Sequence, residues 1–155
     1  MNVLLVEDEA PKLSNLCEFL KENYPDFHVT TAKSVRSAVD ELRKSITFDL
    51  IILDMSLPTF DIENGESGGA PQGFGGLEVM RFIERTGKII PVIIVTAYTA
   101  FDEGTKTWGL DELRNNLADD YPDIFRGLVY YNIVYGTWIS ELRETINKEI
   151  GGIGK

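Results

Sequence analysis

The amino-acid sequence predicts an α/β domain in which a parallel sheet carries helices on both faces. Short apolar runs rich in β-branched residues alternate along the chain with stretches of helical periodicity. Continuous apolar runs are typical of strands buried on both faces, and the alternation of strand and helix predicts a parallel sheet. The 155 residues suffice for one buried core, so we expect a single domain over residues 1–155.

Five segments are predicted to form the strands of this sheet. Three of them are continuous apolar runs, at residues 3–6, 50–53 and 89–95. Residues 27–31 alternate between apolar and polar side chains, which favours an edge strand, and residues 128–135 supply the fifth strand. Pro91 stands near the start of its strand, where a missing N–H group costs least.

Amphipathic stretches between the strands predict the helices. Apolar residues at helical spacing occur at residues 13–20, 35–42, 77–83 and 139–150. Ser34 is the expected N-cap of the second helix, and Gly151-Gly152 is the expected end of the last. A further helix-like patch surrounds Leu110, Leu113 and Leu117.

Composition excludes several classes of function. A formal net charge of -10 argues against a nucleic-acid surface, which needs Lys and Arg to neutralise phosphates. No apolar stretch approaches the roughly 20 residues that cross a bilayer, and Met1 is not followed by a basic secretory leader. The single cysteine, Cys17, cannot form an intrachain disulfide. We therefore expect a cytoplasmic protein.

Acidic and hydroxyl side chains follow three of the predicted strands. Glu7 and Asp8 come after the first strand, Asp54 after the third, and Thr96 ends the fourth. Because the carboxyl ends of parallel strands share one edge of a sheet, we expect these side chains to converge. A single acidic residue there is usually a turn former or a helix cap, but three strands ending this way predict a site. Converging carboxylates repel unless a cation lies among them, and their hard oxygen ligands suit Mg²⁺.

Four segments, in order along the chain, carry a family resemblance. They are VLLVEDE (3–9), LIILDMSLP (50–58), GGLEVM (75–80) and PVIIVTAY (91–98). With these motifs the chain resembles response-regulator receiver domains over essentially its whole length. The resemblance implies a flavodoxin-like, doubly wound sheet of five parallel strands in the order 2-1-3-4-5, with five helices.

The resemblance also implies roles for individual residues. Asp54 matches the phosphoacceptor, and Thr96 matches the hydroxyl residue that bonds the phosphoryl group. Asp8 and Asp54 match the carboxylate ligands of Mg²⁺, with Glu7 acting through water and Ser56 through its backbone carbonyl. The implied phosphodonor is the phosphohistidine of a histidine kinase or a histidine phosphotransfer protein. No activity on an external substrate is expected, only self-phosphorylation and self-dephosphorylation.

The end of the predicted fifth strand departs from the family pattern, with Tyr131 in place of a lysine and Asn132 in place of the proline that usually follows it. Receivers carry a lysine at the end of the fifth strand, whereas alignment on Gly127 puts Tyr131 at that place. Without the lysine, three carboxylates and one Mg²⁺ leave a formal charge of −1. This count predicts a tighter dependence on metal and a weaker link between phosphorylation and shape change. Lys106 or Arg126 could reach in to replace the lysine.

Two long segments, residues 55–75 and 97–126, exceed the usual connection of roughly 2–6 residues in an α/β unit. They are either tolerated surface insertions or a lid or docking surface for a partner. The glycines between 73 and 76 lack the spacing of a nucleotide-binding motif, so we interpret them as a flexible loop.

Three functional classes remain open. The first is a stand-alone receiver that acts through another protein, since the last predicted helix ends within a few residues of the C-terminus. The second is a pseudo-receiver, which binds partners without using phosphate. An aspartate-nucleophile phosphatase is the third, but its Asp-x-Asp pattern follows the first strand, whereas Asp54-Met55-Ser56 follows the third.

Overall fold

Five parallel strands form the central sheet of the computed structural model, which describes residues 1–61, 74–103 and 106–153. The seven strands in chain order are β1 (Asn2–Val6), β2 (His28–Ala32), β3 (Leu50–Leu53), β4 (Val92–Thr96), β5 (Ala100–Glu103), β6 (Lys106–Gly109) and β7 (Phe125–Tyr130). The parallel sheet has the order β2-β1-β3-β4-β7. With β7 as its fifth strand, this is the predicted flavodoxin-like order, and the prediction is confirmed.

Helices cover both faces of the sheet, as predicted. They are α1 (Ala10–Asn23), α2 (Val35–Leu42), α3 (Gly75–Thr86), α4 (Leu110–Asp120) and α5 (Thr137–Ile153). One apolar core joins the sheet to α2, α3 and α4, and a second joins it to α1 and α5. The two cores exist because neighbouring residues of a strand point to opposite faces: Leu4 lies in the first core and Leu5 in the second. In the described ranges, none of the helices combines the length and apolarity needed to span a membrane.

The ends of the elements confirm some predictions and correct others. Ser34 caps α2, since its Oγ accepts a hydrogen bond of 3.0 Å from the backbone N–H of Ser37. The fifth strand of the sheet ends at Tyr130, not at residue 135. Residues 133–135 are instead exposed. The predicted end of the last helix at Gly151-Gly152 is wrong, because α5 continues to Ile153.

The second long segment contains regular structure. Strands β5 and β6 pair as an antiparallel hairpin, which was not predicted, and α4 forms at the predicted helix-like patch. The ring of Phe74, at the start of α3, lies 5.7 Å from that of Phe101 and 5.3 Å from that of Trp108. These aromatic contacts fasten the hairpin to α3. In the first long segment, residues 62–73 lie outside the described residues, so the structure does not test what this segment does.

Candidate functional site

The acidic side chains converge at the carboxyl edge of the sheet. Glu7 and Asp8 follow β1 and Asp54 follows β3, and these two strands are neighbours. A carboxylate oxygen from each of the three residues lies within 4.8 Å of the others. We call Glu7, Asp8 and Asp54 the acidic cluster. Its formation fulfils the geometric expectation that the sequence set, although the roles of its members stay predictions.

Backbone hydrogen bonds that continue the sheet place these residues. The N–H of Asp54 donates to the carbonyl of Val6 at 3.0 Å, and the N–H of Glu7 donates to the carbonyl of Ala32 at 2.9 Å. The chain therefore holds strand-like pairing for one residue past β1 and β3. Glu7 and Asp54 are fixed by the sheet rather than by a loose loop.

Thr96 and Ser56 lie at the same edge. Thr96 is the last residue of β4, which pairs with β3, and it is fully buried. Its Oγ1 accepts a hydrogen bond of 3.2 Å from the N–H of Tyr98. Ser56 lies two residues beyond Asp54 and donates its backbone N–H to the Asp54 carboxylate. Both residues therefore lie at the edge that carries Asp54, and their roles toward a phosphoryl group and a metal ion stay predictions.

Two glycines hold the loop that follows Asp54. The N–H of Gly76 donates to the carbonyl of Met55 at 2.8 Å, so the start of α3 rests on this loop. A Cβ atom on Gly76 would lie 2.7 Å from the carbonyl oxygen of Asp54 and 2.8 Å from the Cα of Met55. Gly75 is packed as closely against Leu57. The interpretation of these two glycines as a flexible loop is therefore wrong: they allow a helix to approach the loop that follows Asp54.

A lysine that is not among the predicted site residues lies inside the site. Lys12, in the first turn of α1, is only 2% exposed. Its Nζ is 2.5 Å from a Glu7 carboxylate oxygen and 3.2 Å from Oδ1 of Asp54. The same nitrogen donates to the carbonyl of Val95 at 2.8 Å. The ammonium group thus has three partners, which equals the number of its hydrogens.

Lys12 corrects the charge count made from the sequence. With all three carboxylates ionised, the acidic cluster and Lys12 together carry a formal charge of −2, which one Mg²⁺ would balance. The predicted surplus of −1, and the tighter metal dependence drawn from it, therefore lose their basis. Arg126 does not fill the gap, since it pairs with Glu149 at 3.2 Å. The side chain of Lys106 lies outside the described residues.

Burial and charge set the pKa values in the cluster. Burial, followed by the nearby charge of Asp54, raises the pKa of Glu7 from 4.5 to about 8. Burial likewise raises the pKa of Asp54, although Lys12 and hydrogen bonds, including one from the backbone of Ser56, act in the opposite direction. For Lys12, burial lowers the pKa but the carboxylates of Asp54 and Glu7 outweigh it, so the net shift is upward. Lys12 therefore stays charged while Glu7 binds a proton readily.

Tyr131, which alignment on Gly127 matches to the family's lysine, directly follows β7. Its backbone N–H donates to the carbonyl of Thr96 at 2.8 Å, so it lies at the edge of the site. Its ring centre is 5.7 Å from Nζ of Lys12 and 4.9 Å from the ring of Trp138. Its hydroxyl accepts a hydrogen bond of 2.8 Å from the side chain of Asn15 in α1. Tyr131 is thus a buried partner of Lys12.

The sequence did contain a signal for Lys12. Leu16 and Leu20 are buried on α1, and Lys12 precedes Leu16 by one helical turn. A lysine on the buried stripe of a helix needs an anionic partner. The acidic residues that end β1 and β3 were the available partners.

Known proteins resemble this chain over most of its length. The Detocs response regulatory protein DtcB of Enterobacter cloacae is 27% identical over 149 residues, which cover 96% of this chain and 99% of that protein. Among solved structures, the response regulator TrrA of Thermotoga maritima, in complex with Mg²⁺-BeF, matches with a TM-score of 0.61 and 25% identity, over 96% of this chain and 97% of that one. A receiver domain from Clostridium thermocellum has a TM-score of 0.64 at 19% identity, over 99% of this chain and 96% of that one.

A protein-family model matches most of the chain. The model for the response regulator receiver domain matches residues 3–111, which include Lys12, Asp54 and Thr96 but not Tyr131. The matched part is well over half of the 155 residues. The chain therefore belongs to the response regulator receiver family, whose members serve phosphorylation-based, two-component signalling.

Proposed function

We propose that this protein accepts a phosphoryl group on Asp54 from the phosphohistidine of a histidine kinase or a histidine phosphotransfer protein, with Mg²⁺ bound beside it. One observation carries the proposal. The carboxylate of Asp54, only 4% exposed, lies in the acidic cluster at the edge where β1, β3 and β4 end. The protein acts in the cytoplasm by passing the signal, or the phosphoryl group, to another protein.

The reaction needs few parts from the protein. A carboxylate oxygen of Asp54 attacks phosphorus while the bond from phosphorus to the donor imidazole nitrogen breaks. The electron pair of that bond stays on the imidazole, and Asp54 becomes an acyl phosphate. Later, water attacks the phosphorus, which releases inorganic phosphate and restores the carboxylate. Lys12 and the N–H of Ser56 favour the ionised form of Asp54 that attacks.

The acidic cluster offers carboxylate oxygens, which are the ligands that Mg²⁺ prefers. Asp8 and Asp54 would bind it directly, Glu7 through water, and Ser56 through its backbone carbonyl. The ion supplies neutralisation of the charge on the transferred phosphoryl oxygens. Support comes from the charge balance with Lys12 and from the Thermotoga relative, which was solved with Mg²⁺-BeF.

Thr96 completes the surroundings of Asp54. Its Oγ1 accepts a hydrogen bond from the N–H of Tyr98, which leaves the hydroxyl hydrogen available as a donor. We assign its hydroxyl hydrogen to a phosphoryl oxygen on Asp54. Because Thr96 Oγ1 is hydrogen-bonded to the N–H of Tyr98, a movement of the Thr96 side chain would also move Tyr98, whose side chain is half exposed.

Intact-mass measurement after incubation with acetyl phosphate and Mg²⁺ tests the proposal. Wild-type protein is expected to gain the mass of one phosphoryl group, whereas Asp54→Asn gains none because the nucleophile is absent. Removing the metal with a chelator should abolish the gain in the wild type. A wild type that stays unmodified, while circular dichroism shows it folded, would contradict the proposal and favour a pseudo-receiver.

A further inference from the structure

We propose that Lys12 of α1 supplies the ammonium group that binds the phosphoryl group on Asp54, so that the lysine function of this receiver comes from α1 instead of the end of β7. The inference rests on the proposed function, because it concerns the same reaction at Asp54. It assigns a phosphoryl-binding role to a residue outside the four motifs that carry the resemblance.

The position of the ammonium group supports this role first. Nζ of Lys12 touches Oδ1 of Asp54, so any group transferred to that carboxylate arrives within reach of the lysine. At 3.2 Å this contact is the longest of the three that Nζ makes. Of the two contacts that Nζ makes with carboxylates it is the longer, so it is the ionic contact that a new anionic oxygen beside Asp54 replaces most easily.

Lys12 can change its bonding partner at Asp54 while α1 stays in place. Nζ is also held by the backbone carbonyl of Val95, at 2.8 Å, a neutral acceptor that phosphorylation does not remove. When Asp54 becomes an acyl phosphate, its own carboxylate charge is lost and new negative oxygens appear nearby. Lys12 can keep its bond to Val95 and transfer the bond from Oδ1 to a phosphoryl oxygen. Bonds between charged partners are about twice as strong as neutral ones.

Tyr131 provides the second, independent observation. This side chain lies where alignment places the lysine of other receivers. Its ring packs against the Lys12 ammonium group, and its hydroxyl accepts a hydrogen bond from Asn15 of α1. An aromatic ring in this position closes the site on the β7 side and favours a cation over its face. Positions 12 and 131 thus form a pair, with the cation on one element and its cover on the other.

Moving the ammonium group between the paired positions tests the inference. The initial rate of phosphorylation by acetyl phosphate with Mg²⁺ is measured by intact mass for the wild type, Lys12→Met and the double variant Lys12→Met/Tyr131→Lys. Lys12→Met is expected to react about tenfold more slowly or worse, which is the loss of one charge-assisted bond. The double variant should recover most of that rate, because it returns an ammonium group to the site. Lys21→Met, exposed on the same helix, is the matched control.

Two outcomes would overturn the inference. One is a folded Lys12→Met protein that is phosphorylated as fast as the wild type. The other is a slow Lys12→Met protein that Tyr131→Lys leaves equally slow, since altered packing would then explain the loss. Failure of the proposed function looks different, because the wild type itself would not react.

A second measurement covers the case in which Lys12→Met does not fold. The ¹⁵N-labelled lysine ammonium signal of wild-type Lys12, recognised by its contact with the Tyr131 ring, is followed while Mg²⁺ and beryllium fluoride are added. The signal is expected to shift when the phosphoryl analogue binds at Asp54. An unchanged Lys12 signal in protein whose Asp54 signals do shift would overturn the inference.

Discussion

The first turn of α1 reaches the acidic cluster, whereas the chain just after β7 reaches only the lysine beside it, and the two segments contribute different kinds of side chain. Helix α1 contributes Lys12, whose ammonium group contacts Glu7 and Asp54. The chain after β7 contributes Tyr131, whose ring lies against Lys12 and Trp138. The difference is that α1 brings a buried cation to Glu7 and Asp54, whereas the chain after β7 brings an aromatic ring to that cation.

The two regions also differ in how their side chains stabilise the folded state. Lys12 is a charge buried among charges, so its stabilising effect depends on its partners remaining in place. Tyr131 buries an aromatic ring and one hydroxyl, which depends mainly on packing. Substitutions on the α1 side should therefore have the larger and more pH-dependent effects.

Loss of the buried cation is expected to have the largest effect on stability. In Lys12→Met, Glu7 and Asp54 lose their common partner, and breaking such a buried pair costs about 3 kcal/mol near neutral pH. The loss should shrink at mildly acid pH, because burial raises the pKa of Asp54 and its carboxylate then also binds a proton and no longer needs the cation. Urea unfolding with a chelator at the two pH values measures this. An equal loss at both would mean that charge is not the cause.

Substitution of Gly76, which packs against the backbone of Asp54, is expected to have the second largest effect on stability. A methyl group in Gly76→Ala meets the backbone of Asp54 and Met55, which cannot move away easily. We expect a loss of about 2 kcal/mol, as for other overpacked sites, and slower phosphorylation. The control is Gly151→Ala in α5, where nothing lies within 4 Å of the new methyl group. Its free energy of unfolding should stay the same or rise, since alanine favours a helix. Equal behaviour of the two variants would refute the close-packing explanation.

Much of the fold could be predicted from sequence because its signals are local. The apolar runs of β1, β3 and β4 are unbroken, and Ser34 marks the start of α2 in the sequence itself. The β5–β6 hairpin escaped prediction because its strands have only four residues each and mix polar with aromatic side chains. Its packing on Phe74 depends on contacts that the local pattern does not contain.

The site residues at the ends of strands could be predicted from the sequence, whereas contacts between residues far apart in the sequence could not. Asp54 and Thr96 follow apolar strands, so parallel pairing alone brings them together. Lys12 and Asp54 are separated by 42 positions, and a lysine in an amphipathic helix is usually solvated. Likewise, the close approach of Gly76 to Met55 exists only after α3 has packed on the sheet.

The proton on Glu7 should show in the pH dependence of stability. In the metal-free protein its pKa is about 8, against 4.5 when unfolded, so the folded state binds more protons between these values. This contribution is complete below the lower value and is lost as the pH rises through about 8. Glu7→Gln cannot titrate and should give a flatter curve than the wild type. Parallel curves from chemical unfolding in a chelator would contradict the assignment.

The smallest effect is expected at the β7 side. Tyr131→Phe keeps the ring against Lys12 and Trp138 and loses the hydroxyl bonded to Asn15. We expect a loss of about 1 kcal/mol, the usual value of one hydrogen bond, with little dependence on pH. Thermal and urea unfolding measure it. A loss larger than that of Lys12→Met would reverse the ranking of the two regions.

A crystal structure of the protein with Mg²⁺ and beryllium fluoride tests the central claim most directly. The claim is that Asp54 carries the phosphoryl group and that Lys12 binds it. The expected result is beryllium fluoride on Asp54, with Nζ of Lys12 within roughly 3 Å of a fluorine atom and still bonded to Val95. Beryllium fluoride bound at Asp54 with Lys12 remaining on Glu7 and away from every fluorine would contradict it.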